Sequence, residues 1–169
     1  MNTQTVIPNL VKPDLRILFV GINPGLRSAA IGHHFAGHSN RFWRLLHDSG
    51  ITPIRFKAED DYRLLELDFG ITNIVSRSSA TAAELTRSEF QEGASILLKL
   101  MEKYHPTVAA YLGKDIYRHL VHRNKVDWGK QEPPVLKEVI DFVLPNPSGL
   151  NRMPYQEQLK WFLELREFK

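Results

Sequence analysis

The sequence contains no cysteine, and this absence excludes several kinds of chemistry at once. Without thiols the chain has no disulfide framework, no zinc–thiolate site, no iron–sulfur cluster with thiolate ligands and no cysteine nucleophile. Long hydrophobic runs are missing too, since none reaches the ~18 residues that a membrane-spanning helix needs. Residues 1–12 show no basic stretch followed by an apolar core, as a secretion signal would. We therefore expect a cytoplasmic protein with no membrane partner.

The charge balance is only mildly basic, with a formal net charge of +3. Such a balance permits a nucleic-acid partner without requiring one. The cations are clustered, however: five lie in residues 27–57 against one acid, and five lie in residues 114–130 against two acids. Either cluster alone fits a solvated helix face equally well. If both flank one crevice, they favour a surface that binds phosphate groups.

The composition is that of one folded domain. Of the 169 residues, 43% are hydrophobic and 24% are charged, which is enough for a substantial core. The sequence has no internal repeat, low-complexity tract or linker. We therefore treat residues 1–169 as a single domain.

Apolar runs alternate with helical patterns along the chain. Strands are predicted at 15–20, 71–75, 107–112 and 135–144, the last as a strand or hairpin nearer the sheet edge. Helices are predicted at 40–49, 58–67, 87–104, 114–121 and 154–168. Because helices separate the strands, the pattern indicates an α/β protein, a three-layer α/β/α sandwich around a mostly parallel central sheet.

Several predicted helix ends depend on particular residues. Ser39 is the expected N-cap of the first helix and Gly50 its stop, while Gly70 is expected to end the second. Thr86 and Glu89 have the spacing of a capping box, in which each side chain binds the other residue's backbone N–H at the start of a helix.

Two strands end abruptly in loops rich in Gly, Pro and Asn. The first runs into residues 21–25 (GINPG) and the last into residues 145–152 (PNPSGLNR). We expect residues 21–39 to form a long irregular loop, and loops of this length are often functional. The carboxyl ends of parallel strands share one edge of a sheet, where ligands bind. The sequence therefore predicts one crevice between two loops.

The motifs of several large enzyme classes are absent. The sequence has no dinucleotide-binding G-x-G-x-x-G, no Walker-type G-x-x-x-x-G-K-[ST] and no G-x-S-x-G around a nucleophilic serine. His33, His34 and His38 suggest a metal site, but no carboxylate near them in the sequence completes a ligand set. We expect no metal, and loop histidines that bind backbone or phosphate groups instead.

Two residues of the first loop have more than one interpretation. An Asn before Pro, such as Asn23, is most often a turn former that bonds its own backbone. Its carboxamide can also position a water molecule or read a base edge, although it cannot act as a strong base. Phe35 is most simply a plug on the core, but beside a crevice it can also stack on a planar heterocycle.

Several segments together resemble the mismatch-specific uracil/thymine-DNA glycosylases. The similar segments are 21–26 (GINPGL), 32–35 (GHHF), 40–43 (NRFW), 70–73 (GITN), 112–114 (LGK) and 144–150 (LPNPSGL). The first three match the first motif region of that family, and the last resembles the second motif of its bacterial branch. Asn73 stands where some relatives carry Lys. The two motifs lie about as far apart as in the family, and the similarity covers most of the chain.

The resemblance implies the uracil-DNA glycosylase fold and a hydrolase acting on N-glycosyl bonds. Such an enzyme is monofunctional and removes a mismatched or damaged base from double-stranded DNA, with uracil opposite guanine as the first expectation. It uses no cofactor, and we expect a monomer associated with the nucleoid.

The resemblance also implies roles for individual residues. Asn23 is the expected catalytic residue and positions the attacking water. Expected base-binding residues are Ile22, Gly25, Ser28, Phe35 and Asn73. The second loop is expected to enter the duplex as a wedge, and its DNA-binding residues are Asn146, Ser148, Gly149, Leu150, Asn151 and Arg152.

Two other functions stay open at this level. The chain can be a non-catalytic protein that binds mismatches or lesions and recruits other proteins, or a hydrolase of free nucleosides. DNA binding without base release would indicate the first of these. Activity on free nucleosides without salt-sensitive DNA binding would indicate the second.

Overall fold

The computed structural model describes residues 6–169, which form a five-stranded sheet with helices on both faces. Residues 1–5 lie outside the described residues, and they belong to the segment 1–12 in which no signal sequence was expected. The strands are β1 (Ile17–Gly21), β2 (Phe69–Asn73), β3 (Val108–Leu112), β4 (Gly129–Lys130) and β5 (Ile140–Leu144). The α-helices are α1 (Leu26–Ile31), α2 (Phe42–Asp48), α3 (Arg87–Tyr104), α4 (Lys114–Val121) and α5 (Tyr155–Arg166). Short 3-10 helices span Ala58–Leu67 and Ala82–Glu84. None of the described helices combines the length and hydrophobicity needed to cross a membrane.

The strand order in the sheet is β2-β1-β3-β5-β4. The interior strand β1 pairs in parallel with β2 and β3, which places Val20 beside Thr72 and Tyr111. β3 and β5 also pair in parallel, and only the short β4 at the edge is antiparallel. The carboxyl ends of β1, β2, β3 and β5 therefore lie at one edge of the sheet. The predicted mostly parallel sheet is confirmed.

Side chains of β1 alternate between two hydrophobic cores. Ile17 and Phe19 are buried on the face covered by α2 and α5, whereas Leu18 and Val20 are buried on the face covered by α3 and α4. Successive side chains of a strand point to opposite faces, so a strand covered on both sides reads as one continuous apolar run. The three-layer α/β/α arrangement follows.

The region predicted as an irregular loop after β1 contains the short helix α1. Gly25 precedes its first residue, and Gly32 ends it in the left-handed conformation with a φ of 76°. The six helical residues, LRSAAI, include several good helix formers. The prediction of irregular structure was wrong here, because the surrounding glycines and histidines obscured this local signal.

The helix predicted at residues 40–49 begins later, at Phe42. The N-cap is Arg41, whose side chain makes no capping hydrogen bond, and Oδ1 of Asn40 accepts the first N–H of the helix at 2.9 Å, so the prediction of Ser39 as N-cap was wrong. Ser39 instead packs against Gly149, where an added Cβ would lie 2.1 Å from the serine Oγ. Gly50 follows the helix with a φ of 74°, as expected for a stop.

β2 begins at Phe69, two residues earlier than predicted. The preceding 3-10 helix ends at Leu67, its C-cap Asp68 is left-handed with a φ of 61°, and Gly70 lies within the strand. Glycine is needed at that position because a Cβ would lie 2.5 Å from the carbonyl oxygen of Leu10. Leu10 pairs with Ile71 as an antiparallel bridge, a contact that the local sequence does not reveal.

Elements with strong local signals have the predicted bounds. The Thr86 side chain accepts the N–H of Glu89 at 3.2 Å and the Glu89 carboxylate accepts the N–H of Thr86 at 2.7 Å, which confirms the capping box. α4 spans the predicted residues, whereas α5 spans Tyr155–Arg166 and not the predicted 154–168, with Pro154 as its N-cap. β5 is shorter than predicted and includes only the second half of the range 135–144.

A buried carboxylate on β5 explains that difference. Asp141 is fully buried and accepts hydrogen bonds from the hydroxyls of Tyr111 at 2.8 Å and Tyr117 at 3.3 Å. It also accepts the backbone N–H of Val135 at 2.7 Å, so this N–H is not available to a strand partner. Burial raises the pKa of the Asp141 carboxyl, although the three donors favour its charged form.

Replacing Asp141 by Ala should destabilise the fold by roughly 3 kcal/mol, since three buried donors lose their acceptor. Urea unfolding followed by circular dichroism measures this change. Asp127, which is exposed, provides the matched control, and Asp127→Ala should change stability by less than about 0.5 kcal/mol. A loss below about 1 kcal/mol for Asp141→Ala would contradict the assigned role.

Candidate active site

A cavity of about 530 Å³ opens at the carboxyl edge of the sheet. Its walls come mainly from the segments that follow β1, β2 and β5, with small contributions from Ile7, Leu112 and the start of α4. Asn23 from the first segment and Leu150 from the last both line it, so the two predicted loops face one cavity. The volume lies within the range of about 300–1,000 Å³ typical of small-ligand sites.

The carboxamide of Asn23 is held in one orientation. Its Nδ2 donates to the carbonyl oxygen of Arg77 at 2.8 Å and to Oγ of Ser79 at 2.8 Å. The Ser79 hydroxyl donates its own hydrogen to the carbonyl of Thr81 at 2.7 Å, so its oxygen acts as the acceptor for Asn23. Because a carbonyl can only accept, the nitrogen must face Arg77, and Oδ1 is left as an acceptor for a water molecule. These long-range bonds replace the turn-forming contact to its own backbone.

The acceptors of Asn23 belong to a segment that the sequence did not assign to the site. The Arg77 guanidinium pairs with the Glu89 carboxylate through contacts of 2.7 and 3.1 Å. The N–H of Ser79 donates to the carbonyl of Pro24 at 3.2 Å, so this segment is fixed on two sides. The capping box identified Glu89 as a helix-capping residue, but it gave no indication that Glu89 also forms an ion pair with Arg77.

Phe35 lies between the core and the cavity. Its ring stacks on Phe42 with a centroid distance of 3.9 Å and an interplanar angle of 30°. The same residue also lines the cavity. The two interpretations of Phe35 are therefore compatible, since a ring that rests on the core can offer its remaining surface to a planar ligand.

Buried side chains anchor the backbone on both sides of Phe35, whose φ is 53°. The N–H of His34 donates to Asp61 at 2.9 Å, and the N–H of Ala36 donates to Oγ of Ser28 at 2.9 Å. The N–H of Phe35 between them donates to no acceptor in the part of the chain that the structure describes. Ser28 lines the cavity as predicted, but its hydroxyl supports the loop.

The two adjacent histidines also anchor this loop. Nδ1 of His33 lies 3.2 Å from the Asp61 carboxylate, and Nε2 of His34 donates to the carbonyl of Pro8 at 3.0 Å. Burial lowers the pKa of His34, which favours the neutral ring, and the bond to a carbonyl requires the proton on Nε2. The expectation of contacts to backbone holds for His34, while His33 binds a carboxylate that lies 28 positions along the chain.

Asn73 and Phe35 meet at Gly21, the last residue of β1. A Cβ added to Gly21 would lie 2.4 Å from Oδ1 of Asn73 and 3.6 Å from Cε1 of Phe35. Only glycine therefore lets the Asn73 carboxamide approach the strand here. Ile22 and Gly25 line the cavity as well, which brings all five predicted base-binding residues to one place.

Residues 146–152, named here the leucine loop, are held in shape by their own polar groups. Asn146 accepts the N–H of Ser148 at 2.9 Å through Oδ1 and the side-chain amide of Asn151 at 2.8 Å through its carbonyl. The N–H of Leu150 donates to Oγ of Ser148 at 3.2 Å, and the Leu150 side chain is 75% exposed. Arg152 is exposed and does not line the cavity. The polar residues build the loop, and Leu150 projects from it.

The sequence matches the model of the uracil DNA glycosylase superfamily over residues 8–168. The chain belongs to this superfamily. A solution structure from Methanosarcina acetivorans, described as a candidate uracil DNA glycosylase, has the same fold, with a TM-score of 0.67 over 98% of each chain at 16% sequence identity. Superfamily membership makes the protein a glycosylase hydrolase that acts on DNA, so the predicted reaction class is confirmed at this level.

One cation of each cluster lies next to a residue that lines the cavity of this DNA glycosylase. Arg27 lies in α1 just before the lining residue Ser28, and Lys114 lies just before the lining residue Asp115 at the start of α4. Both also contact protein groups: Nε of Arg27 donates to the carbonyl of Ala36 at 2.9 Å, and Nζ of Lys114 lies 4.4 Å from the centre of the Trp128 ring. Further cations of the two clusters that contact protein groups are Arg41, Arg44, Arg118, Arg123 and Lys130.

The ion pair behind Asn23 gives the glycosylase a measurable pH dependence. Hydrogen bonding to Arg77 lowers the pKa of Glu89 to about 2. A lowered folded-state pKa stabilises the fold above the unfolded value, near 4.5, and this contribution is lost as the pH falls toward about 2. Glu89→Gln keeps the capping hydrogen bond but removes the charge.

We therefore expect wild type to exceed Glu89→Gln in stability at pH 7, with the difference shrinking between pH ~4.5 and pH ~2. Urea unfolding at a series of pH values measures it. Glu92→Gln, an exposed position on the same helix, controls for the general effect of removing one carboxylate. A difference that stays constant over this pH range would show that the pair does not stabilise the site.

Proposed function

We propose that this enzyme is a monofunctional, mismatch-specific glycosylase that removes uracil opposite guanine and so starts base-excision repair. The supporting observation is the fixed carboxamide of Asn23, in a cavity that also presents Leu150. The first offers a place for the attacking water, and the second offers an apolar side chain to a duplex. The enzyme acts as a cytoplasmic, nucleoid-associated monomer without a cofactor.

A base inside a duplex cannot reach the cavity, so the target nucleotide must first be extruded. Extrusion costs a few kcal/mol and less for a mismatched base, which is one source of selectivity. Leu150, which is 75% exposed, enters the vacated stack and slows the return of the base. Arg152 lies close to the unpaired guanine or its phosphate. The cations Arg27 and Lys114 contact flanking phosphates, which makes binding sensitive to salt.

The extruded base is held from its face and its edge. It stacks on Phe35, and its polar edge meets the carboxamide of Asn73. The backbone N–H groups near Phe35 and Ile22 donate to its oxygen atoms. As the bond from C1′ of the sugar to N1 breaks, both electrons leave with the base. In other enzymes one well-placed donor to such a developing anion contributes roughly 3–4 kcal/mol.

Asn23 orients the water that attacks C1′. Its Oδ1 accepts one hydrogen of the water, and this directs a lone pair of the water oxygen toward the sugar. Once the new C1′–O bond forms, the released proton passes to solvent, and the departing base anion takes up a proton from solvent. A carboxamide takes up a proton poorly, so the site lacks most of the roughly 10²- to 10⁴-fold acceleration that a strong general base provides. We therefore assign the enzyme a low turnover rate, lowered further by slow release of the abasic product.

Asn23→Ala should slow release of uracil from a G·U duplex by roughly 100-fold or more, because the attacking water loses its acceptor. Duplex binding should stay nearly unchanged. Single-turnover release of free uracil and fluorescence anisotropy measure the two properties. Asn124→Ala, at an exposed position, is the matched control. Full activity of Asn23→Ala would contradict the role, and tight binding by wild type without base release would favour a non-catalytic binder.

Leu150→Ala should slow release from a G·U duplex but hardly affect uracil in single-stranded or unpaired DNA, where extrusion costs little. The ratio of the two single-turnover rates measures this effect. Ile96→Ala is the matched control, since Ile96 is another exposed large hydrophobic residue, on α3. An equal loss on both substrates would count against a wedge.

A further inference from the structure

Arg41 connects the two sides of the cavity. It directly precedes α2, and its backbone N–H donates to the carbonyl of Pro147 at 2.9 Å. Its Nη1 donates to the carbonyl of Ser148 at 3.3 Å and to the carbonyl of Asn151 at 3.2 Å. One residue of the segment after β1 therefore binds three carbonyl groups of the leucine loop, on both sides of Leu150.

The neighbouring residues bring the two segments still closer. Ser39 lies so near Gly149 that an added Cβ there would be 2.4 Å from Cβ of the serine. Within the leucine loop, Asn151 accepts the N–H of Met153 at 3.0 Å. The exposed residues of the loop are Leu150 and Arg152, and Leu150 is its one exposed large hydrophobic residue. The half-buried Arg41 thus takes part in a preformed loop and does not act as an isolated surface charge.

We propose that Arg41 is a positioning residue that holds the leucine loop in shape before DNA binds. A loop that is already ordered loses less conformational entropy when it enters a duplex. Both bonds come from the two N–H groups of Nη1, which lie in the guanidinium plane at a fixed angle, whereas lysine has a shorter side chain and a tetrahedral ammonium that does not reproduce this geometry. The claim that the ordered loop aids extrusion of the base rests on the proposed function. The claim that Arg41 orders the loop is independent of that function.

The first test needs no glycosylase activity. Trypsin cleaves after Arg152, which is exposed at the end of the loop, once the local backbone opens. Without DNA, Arg41→Met and Arg41→Lys should be cut there roughly tenfold or more faster than wild type, because cleavage follows local opening. Arg87→Met, which removes an exposed charge from α3, should be cut at the wild-type rate. Thermal unfolding identifies any variant that fails to fold, and cleavage at the wild-type rate in both Arg41 variants would overturn the proposal.

The second test separates loop positioning from a phosphate contact. Both Arg41 variants should release uracil from a G·U duplex roughly 10- to 100-fold more slowly, the range expected from lost charged hydrogen bonds, while release from unpaired uracil stays near wild type. The salt dependence of duplex binding should not change. Recovery of the duplex rate in Arg41→Lys, or a salt slope that falls by about 0.9 in Arg41→Met, would assign Arg41 to a phosphate and overturn the proposal.

The failure of each proposal is recognisable. If wild type releases no base from either substrate, the proposed function fails, and the trypsin measurement alone decides whether Arg41 orders the loop. If wild type is active and both Arg41 variants lose activity equally on duplex and unpaired uracil, the function stands and the positioning role is wrong.

Discussion

The two hydrogen bonds donated by Nδ2 of Asn23 are the constraint on which the rest of the site depends. A rotated carboxamide would place its oxygen against the carbonyl of Arg77, and two acceptors repel one another. The amide therefore keeps its oxygen as the free acceptor. This orientation exists only because β1 and β2 are parallel neighbours, so that the segments following them, with Asn23 on one and Ser79 on the other, emerge side by side.

The cavity is built from loops, yet buried polar contacts hold those loops firmly. Asp61 and Ser28 fix the backbone around Phe35. Arg41 and Ser39 join the segment after β1 to the leucine loop. The segment after β1 and the leucine loop are therefore each attached to a strand of the sheet and also contact one another. A site of this kind is largely formed before its ligand arrives, which lowers the ordering cost of binding.

Features that depend on interactions between residues close together in the sequence were predicted correctly, whereas features that depend on distant residues were missed. The capping box of Thr86 and Glu89 and the bounds of α4 depend on neighbours within a few residues, and both were predicted. The start of β2 and the shortened β5 depend on Leu10 and Asp141, which act from distant parts of the chain or through side chains. Those boundaries were missed because hydrophobic periodicity carries no information about such partners. Ser39 was misassigned for the same reason.

The sequence by itself determined the alternation of strands and helices, the mostly parallel sheet and the two Asn- and Gly-rich loops at strand ends, because these follow from local apolar periodicity and from residues that end regular structure. Its motifs also named the residues that gather at the cavity. Only the tertiary structure decided which way the Asn23 carboxamide points, that Ser79 and Asp61 support the site, and that Arg41 binds the leucine loop. These are hydrogen bonds between residues far apart in the chain, and their donors and acceptors meet only when the sheet and its two helical layers assemble.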